Sequence, residues 1–302
     1  MPDRVHLARL CAPAALACVL FLALPARASD STAPLYLAMG DSLATSVQPL
    51  PDGSHRRTKQ GYAEYVWRDQ SRRYAGVRLL KLGRGGSTSR EVVRKRDKTG
   101  LTQLEQAVRE IRTHRIALIT IDIGAAEVEG CLSGTTFATG CTSAGYREVR
   151  KYVPAIVRRL RDAAGGRYIP IVGIDYYNYF LARWLRGNTG RTIARRSVRV
   201  EHRLTRELVR AYGSVGVPVA DVEGAFDSLE LRRYVYRRRW GRVPLAVARV
   251  CDWTWSCQIR TDDHANRAGY RVIGRQVLRA LSGLAPPSGA APDASGGVPA
   301  PK

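Results

Sequence analysis

Two distant stretches of the chain carry residue types that together could perform nucleophilic acyl transfer. Gly40-Asp41-Ser42-Leu43 follows the apolar run from Leu35 to Met39, which predicts a strand that ends in a sharp turn presenting a serine hydroxyl. Far downstream, His264 follows Asp262 and Asp263 directly before a predicted helix, where a histidine can act as a general base. Each motif also has a plain structural interpretation, because Gly-Asp-Ser is a common turn and Asp-Asp a common helix cap.

Two further turns lie at the ends of predicted strands. The strand predicted over Val77 to Leu82 ends in the glycine-rich stretch Gly83 to Thr88, where backbone N–H groups can approach a ligand closely. This stretch lacks the lysine and the spacing of a phosphate-binding P-loop. The nearly continuous apolar run from Ile116 to Ile123 predicts a strand buried on both faces, and Gly124-Ala125-Ala126-Glu127 follows it. Because ligands bind outside the carboxyl ends of parallel strands, we expect these turns to share one site.

The elements that must position these turns alternate between strands and helices. Further strands are predicted over Tyr168 to Ile174 and Val217 to Asp221. Helices are predicted over Gly61 to Tyr74, Leu101 to Thr113, Ala144 to Ala164, Arg191 to Tyr212, and from Tyr270 to about Leu281. The alternation predicts an α/β fold, a three-layer α/β/α sandwich with one five-stranded parallel sheet covered by helices on both faces.

Length and composition favour a single folded domain over residues 29–282. At 302 residues and 45% hydrophobic content, the chain can bury one sizeable core. Met1 to Ala28 begins with basic residues, continues with an apolar run from Leu10 to Leu24 and ends in Ala26-Arg27-Ala28, the layout of a cleaved secretory signal. A membrane anchor is the alternative, but the run is short and contains Pro13. Residues 283–302, rich in Pro, Gly, Ala and Ser, predict a disordered tail.

Export would place the four cysteines that follow the signal in an oxidising compartment. Three pairings are open, and the short separations suggest Cys131 with Cys141 and Cys251 with Cys257. A zinc site is the competing interpretation. Neither pair has C-x-x-C spacing and no histidine lies nearby at ligand spacing. We therefore expect disulfides, with neither a metal nor a cofactor.

The formal net charge of +23 comes from lysines and arginines spread along the whole chain. Such a surface attracts anionic lipid headgroups, acidic polysaccharide or nucleic acid, although a basic solvated surface without a partner is the simpler interpretation. No segment resembles a nucleic-acid module with interleaved aromatic residues. We expect a monomer, no nucleic-acid partner, and an anionic membrane or cell wall as the candidate surface partner.

The four turns, in their order, resemble the motif blocks of the SGNH or GDSL hydrolases, which are secreted serine esterases and lipases. The blocks are Met39 to Leu43, Leu82 to Thr88, Ile121 to Glu127 and Asp262 to Tyr270. Three further stretches are similar to a secreted subgroup: Ile171 to Gly173, Pro218 to Val222 and Trp253 to Trp255. The resemblance covers most of the chain after residue 28. It implies the flavodoxin-like fold of that family.

The resemblance also implies roles for individual residues. Ser42 is the implied nucleophile and His264 the implied base, with the backbone N–H groups of Ser42 and Gly86 forming an oxyanion hole. The family often places its aspartate three residues before the histidine, where this chain has Thr261. A D-x-H spacing occurs in similar secreted members, so Asp262 is the preferred acid. A main-chain carbonyl that orients the histidine is the alternative.

The third block departs from the family pattern. The family reads Gly-x-Asn-Asp there, and its asparagine side chain donates a hydrogen bond to the oxyanion, whereas this chain has Ala126. Loss of one such donor lowers turnover on the order of a hundred- to a thousandfold. The sequence therefore predicts an esterase whose activity is impaired at Ala126.

Two functions of different class remain open from the sequence. The first is an exported serine esterase or lipase that cleaves carboxylic esters, such as acyl lipids or acetylated glycans, through an acyl-serine intermediate. The second is a weak or inactive relative that binds an anionic envelope ligand through its basic surface. Intact Ser42, Gly86 and His264 favour the first, and Ala126 favours the second.

Overall fold

The computed structural model describes residues 33–258 and 262–284. The signal sequence predicted over residues 1–28 lies outside the described residues, as do Thr261 and residues 285–302 of the predicted tail. Across the two described ranges, no helix has the length and apolar character needed to cross a membrane.

Five parallel strands form the central sheet of the described chain, and short hairpins lie outside it. The strands are β1 (Leu35–Gly40), β2 (Val47–Pro49), β3 (His55–Arg57), β4 (Arg78–Lys81), β5 (Ile116–Asp122), β6 (Leu132–Ser133), β7 (Thr136–Phe137), β8 (Ile171–Ile174), β9 (Val219–Ala220), β10 (Tyr234–Arg237) and β11 (Gly241–Pro244). The sheet order is β4-β1-β5-β8-β9. Each neighbouring pair in it is parallel, which confirms the predicted five-stranded sheet.

Helices cover both faces of this sheet. They are α1 (Tyr62–Arg73), α2 (Ser89–Arg94), α3 (Gln103–Thr113), α4 (Ala126–Glu129), α5 (Thr139–Ala164), α6 (Gly187–Gly213), α7 (Val222–Ala225), α8 (Leu245–Trp253) and α9 (Arg267–Ser282), with a 3-10 segment at Tyr179–Leu185. Helix α1 packs on α9, while α5 packs on α3 and α6. The predicted three-layer α/β/α sandwich is confirmed.

The sheet order brings the ends of β1 and β5 together at the centre of the molecule. Numbered along the chain, the five sheet strands run 2-1-3-4-5, which is the flavodoxin-like order. In such sheets the crevice opens between the first and third strands, where the connections leave in opposite directions. Every residue of β1 and β5 is buried, as expected for strands covered on both faces. Ser42 follows the first of these strands, and Ala126 follows the other.

Several element bounds differ from the sequence prediction. Strand β8 begins at Ile171 rather than Tyr168, because Pro170 has no N–H to donate to the ladder. Helix α5 begins at Thr139, five residues before the predicted start, and its first turn contains the disulfide-bonded Cys141. The glycine at position 140 lowers helix propensity there, so the pattern placed the start too late. Helix α8 was not predicted, because its apolar residues show no clear helical period.

Candidate active site

The turn that presents Ser42 depends on a close approach between the ends of β1 and β5. Gly40 has a φ of +127°, and a methyl group there would collide with the carbonyl oxygen of Asp122. Only glycine fits this position without strain. The N–H of Asp41 then donates to that carbonyl oxygen over 3.0 Å. The chain therefore leaves the sheet sharply, and Ser42 stands at the carboxyl edge.

The side chain of Asp41 holds this turn in place. One carboxylate oxygen accepts the N–H of Leu43 over 2.9 Å, and the other accepts the hydroxyl of Tyr176 over 2.7 Å. Burial raises the pKa of Asp41 to about 6. Burial and the nearby Asp41 charge also raise the pKa of Asp122 well above its usual range. Because Tyr176 follows β8, the nucleophile turn is tied to two other strand ends.

His264 lies against the carboxylate predicted to orient it. Its Nδ1 is 2.9 Å from Oδ1 of Asp262, and its backbone N–H donates to the same oxygen over 2.9 Å. Oδ1 of Asp263 lies 3.2 Å from the same Nδ1. The tautomer with its proton on Nδ1 donates to these carboxylates and leaves Nε2 as an acceptor. Of the two orienting groups left open by the sequence, this geometry favours Asp262.

A second histidine contacts the other oxygen of Asp262. Nε2 of His55, in the hairpin β2–β3, lies 2.5 Å from Oδ2 of Asp262. The rings of His55 and His264 are 5.1 Å apart between centroids. Asp262 therefore bridges two imidazoles, and its side chain is only 10% exposed.

These contacts shift the titration of the pair in opposite directions. Burial raises the pKa of Asp262, but hydrogen bonds from His264 and His55 outweigh it and hold that pKa at about 2. Burial lowers the pKa of His264, while the Asp262 hydrogen bond and the Asp263 charge raise it more, to a net value above the usual range. The carboxylate is thus charged at neutral pH and stabilises an imidazolium beside it.

The loop that carries His264 is fixed from several sides. The disulfide between Cys251 and Cys257 closes the turn that precedes it, and the N–H of Trp255 donates to the carbonyl of His264 over 3.0 Å. The hydroxyl of Tyr177 donates to the carbonyl of Asp263 over 2.6 Å. These bonds limit the freedom of the imidazole before any substrate arrives.

Ser42 and His264 line one cavity of about 300 Å³. No direct hydrogen bond joins their side chains in the described part of the chain, which is common in unliganded sites. Gly86 and Ala126 also line this cavity. The backbone N–H groups of Ser42 and Gly86 make no hydrogen bond within residues 33–258 and 262–284. Two donors are thus available where an oxyanion would form.

The third block contributes a methyl group at the cavity wall. Ala126 begins helix α4 and lines the cavity without a side-chain donor. The next residue, Glu127, accepts the N–H of Ser89 over 2.6 Å and so joins α4 to α2. Burial raises the pKa of Glu127 to about 7.

The four cysteines are joined as the separations suggested. Cys131 bonds Cys141 and Cys251 bonds Cys257, so none of these thiols is free to bind zinc. The one cluster of metal-ligand type found among the described residues is His55, Asp262 and His264, whose ligand atoms lie within 4.8 Å of one another. The hydrogen bonds between these groups account for that closeness.

Several groups at the site were not identified from the sequence. His55 lies in the polar loop between Pro49 and Gln60 and is brought to Asp262 only by the hairpin. Glu129 and Glu201 line a smaller cavity of about 30 Å³ beside Ser42. Glu129 could have been identified from the sequence, because it lies one helical turn after Ala126 and so is expected on the same side of the chain. Glu201 could not, since it appears as one carboxylate in a long basic helix.

Comparison with known proteins places the chain in a family. Its fold is similar to that of a lipase from a goat rumen metagenome, with 14% identity, a TM-score of 0.51, and coverage of 82% of this chain and 97% of that one. It is also similar to an extracellular lipase from Streptomyces rimosus, with 17% identity, a TM-score of 0.49, and coverage of 82% and 100%. A phospholipase A1 from Streptomyces albidoflavus NA297 gives 16% identity, a TM-score of 0.49, and coverage of 83% and 100%.

At 14% identity, the similarity to the goat rumen lipase shows a shared fold and nothing finer. No curated protein matches the chain. The family model described as GDSL-like Lipase/Acylhydrolase matches residues 36–277. That span runs from the first sheet strand to the last helix, so it includes all four motif blocks. The chain therefore belongs to the GDSL-like lipase/acylhydrolase family, a family of carboxylic ester hydrolases.

Proposed function

We propose that this protein is an exported serine esterase that cleaves carboxylic esters through an acyl-Ser42 intermediate. The observation that carries the proposal is the shared cavity. It is lined by a serine at a strand-end turn, by a histidine oriented by Asp262, and by two backbone N–H donors that have no partner in residues 33–258 and 262–284. Acyl lipids and acetylated glycans are the substrate classes that we propose.

In the first half of the reaction, Nε2 of His264 takes the proton of the Ser42 hydroxyl as its oxygen attacks the ester carbonyl. The carbonyl oxygen becomes negatively charged and accepts hydrogen bonds from the N–H groups of Ser42 and Gly86. Collapse of this intermediate breaks the ester bond. His264 then gives its proton to the departing alcohol, which leaves the acyl group on Ser42.

The second half repeats these steps with water as the nucleophile. His264 takes a proton from the water as the water oxygen attacks the acyl carbon. The bond between the acyl carbon and the Ser42 oxygen then breaks, His264 returns the proton to that oxygen, and the carboxylic acid leaves. Asp262 stabilises the imidazolium in both halves and is not itself protonated, in keeping with its pKa of about 2.

A fluorophosphonate probe tests the nucleophile directly. The purified wild-type chain should be labelled and should hydrolyse p-nitrophenyl acetate and butyrate, while Ser42→Ala should do neither. Ser228→Ala is a matched control, because Ser228 is a buried serine outside the cavity. Labelling that persists in Ser42→Ala would show that another residue is the nucleophile.

Export is the second part of the proposal. The residues before position 29 have the layout of a secretory signal, and the two disulfides suit an oxidising compartment. The mature amino terminus, determined by mass spectrometry of protein recovered outside the cytoplasm, should be Ser29. Recovery of the chain with Met1 to Ala28 still attached would contradict cleavage.

We also propose that helix α6 binds an anionic envelope surface, a function independent of ester cleavage. Both carboxylates of this helix, Glu201 and Glu207, are buried. Seven arginines of the helix are exposed, and most recur every three or four residues: Arg191, Arg195, Arg196, Arg199, Arg203, Arg206 and Arg210. Such spacing gathers positive charge on one side of a helix.

Vesicle sedimentation tests this surface. Binding to vesicles with anionic lipid should exceed binding to neutral vesicles and should weaken with salt. Triple substitution of Arg191, Arg195 and Arg199 by Glu should abolish it. The same exchange at Arg68, Arg72 and Arg73 on α1 is the matched control. Equal binding by both triple variants would refute a role for α6.

A further inference from the structure

We propose that the carboxylic acid of Glu129 donates to the oxyanion the hydrogen bond that Ala126 cannot supply. Glu129 would then be a further catalytic residue, and the third donor of the oxyanion hole would come from one helical turn later in the chain. The inference rests on the proposed esterase function of the same site.

The position of Glu129 follows from the single turn of α4. This helix runs from Ala126 to Glu129, so its first and last residues are three apart and lie on the same side of the turn. Both line the cavity that Ser42 and Gly86 also line. The carboxyl group of Glu129 makes no hydrogen bond or ion pair within the described residues. It is therefore available to a group that enters the cavity.

A second acid lines the smaller cavity together with Glu129. Glu201, on α6, is 7% exposed, and its buried Oε1 has no hydrogen-bond partner among the described residues. It lines the small cavity of about 30 Å³ together with Glu129, Ser42 and His264. A buried polar atom without a partner is costly, and it is explained by a catalytic role, an ordered water, a bound ion or stored strain. The cavity wall thus holds two acids with unused hydrogen-bonding capacity.

The charges around Glu129 favour its neutral form. Acidic groups face it from four elements: Asp41 after β1, Glu127 on α4, Glu201 on α6 and Asp263 before α9. Tyr179 of the 3-10 segment lines the smaller cavity, His264 lines both cavities, and His55 lines the larger one. Burial, followed by the charges of those four acids, raises the pKa of Glu129 well above its usual range. Burial also raises the pKa of Glu201 to about 8.

The protonation state decides what Glu129 can do. A carboxylate would repel the developing oxyanion, whereas a protonated carboxyl group has one O–H donor. A buried acid kept neutral at pH 7 is a known way to supply such a donor. The proton remains on Glu129 throughout, so the cycle of proton transfers between Ser42, His264 and the substrate is unchanged. The hydrogen bond strengthens as charge develops and therefore acts on kcat.

The test compares variants of the full chain with p-nitrophenyl butyrate as substrate. Glu129→Ala should lower kcat on the order of a hundredfold with little change in KM. Glu129→Gln keeps a neutral donor and should retain kcat within about tenfold of wild type. Adding Ala126→Asn to Glu129→Ala should restore kcat at least about tenfold, because it supplies the donor that other family members use. Glu110→Gln on α3, far from the cavity, is the matched control.

The pH profile gives an independent readout. Wild-type kcat should fall at alkaline pH as Glu129 loses its proton, and this alkaline fall should be absent in Glu129→Gln, which cannot ionise. A structural role for Glu129 would not move this limb.

The outcomes separate this inference from the function on which it rests. Unchanged kcat in Glu129→Ala refutes the role of Glu129 while leaving the esterase intact. A second result would also overturn the inference: kcat is low in Glu129→Ala, and neither Glu129→Gln nor added Ala126→Asn gives a higher value. That result would indicate a structural role for Glu129. A wild-type chain that neither labels nor hydrolyses esters would instead refute the proposed function, and the role of Glu129 with it.

Discussion

The two walls of the cavity around Ser42 differ in how far their polar groups are hydrogen-bonded within the protein. On the base wall, formed by His264 and His55, Asp262 holds both imidazoles by hydrogen bonds before substrate arrives. The oxyanion wall is formed by Gly86, Ala126 and Glu129, and among the described residues neither the Gly86 N–H nor the Glu129 carboxyl group has a hydrogen-bond partner. A base must be held in one tautomer and orientation beforehand, whereas oxyanion donors are needed only when charge forms in the transition state. The walls therefore differ because the base must be oriented before the reaction begins, whereas the oxyanion donors act only in the transition state.

Each wall is also closed by its own disulfide. Cys251–Cys257 precedes the loop that carries His264, and Cys131–Cys141 follows α4 directly. Both bonds are local. Each therefore fixes the turn on one wall and leaves the central sheet unconstrained.

The strongest test of the base wall removes the base itself. His264→Ala should lower kcat for p-nitrophenyl butyrate on the order of a millionfold, as expected when a residue of a nucleophile–base pair is lost. His202→Ala is the matched control, because His202 pairs with Glu223 away from the cavity. If His264→Ala keeps a kcat within tenfold of wild type, His264 is not the general base.

The acid should matter less than the base. Asp262→Asn keeps the shape of the side chain but loses the charge that stabilises the imidazolium, so kcat should fall on the order of ten-thousandfold. His55→Ala should leave kcat within about tenfold, because His264 keeps its contact with Asp262. A larger loss of kcat in His55→Ala than in Asp262→Asn would show that His55, rather than Asp262, orients the imidazole of His264.

The disulfides allow the two walls to be compared by stability. Replacing Cys131 and Cys141 by Ser should lower the free energy of unfolding by about 2.5 kcal/mol, and the same change at Cys251 and Cys257 by about 2 kcal/mol, since the second loop is shorter. Urea denaturation of the oxidised chain and each variant measures both losses. Non-reducing peptide mapping provides the control, and free thiols in the wild type would remove the basis of the prediction.

The smallest expected effect concerns the pH dependence of the base wall. His264 must be neutral to accept the Ser42 proton, so activity should fall as pH drops through its raised pKa. Asp263→Asn removes one charge that raises this pKa and should move the acidic limb of kcat/KM to lower pH. Asp252→Asn, in the ion pair with Arg237, is the control and should leave that limb in place. A limb that moves equally in both variants would rule out Asp263 as its cause.

The sequence by itself determined the framework of this protein. The apolar runs over Leu35 to Met39 and Ile116 to Ile123 are local patterns, and burial on both faces explains them without any tertiary information. The turn at Gly40 to Leu43 was also readable, because glycine marks a conformation that other residues avoid. Four such turns in family order were enough to identify the fold and the family. The first residues of β8 and α5 were not predicted correctly, because Pro170 cannot donate to the strand ladder and Gly140 lowers the helix propensity at the start of α5.

Only the tertiary structure decided how the two walls of the cavity are completed. It brought His55 to the second oxygen of Asp262 across more than two hundred residues, and it placed Glu201 from α6 and Glu129 from α4 in one small cavity. A carboxylate in a basic helix has the sequence pattern of an ordinary surface residue. Its pKa depends on burial and on the charges that other elements place around it, and both arise only when those elements pack together.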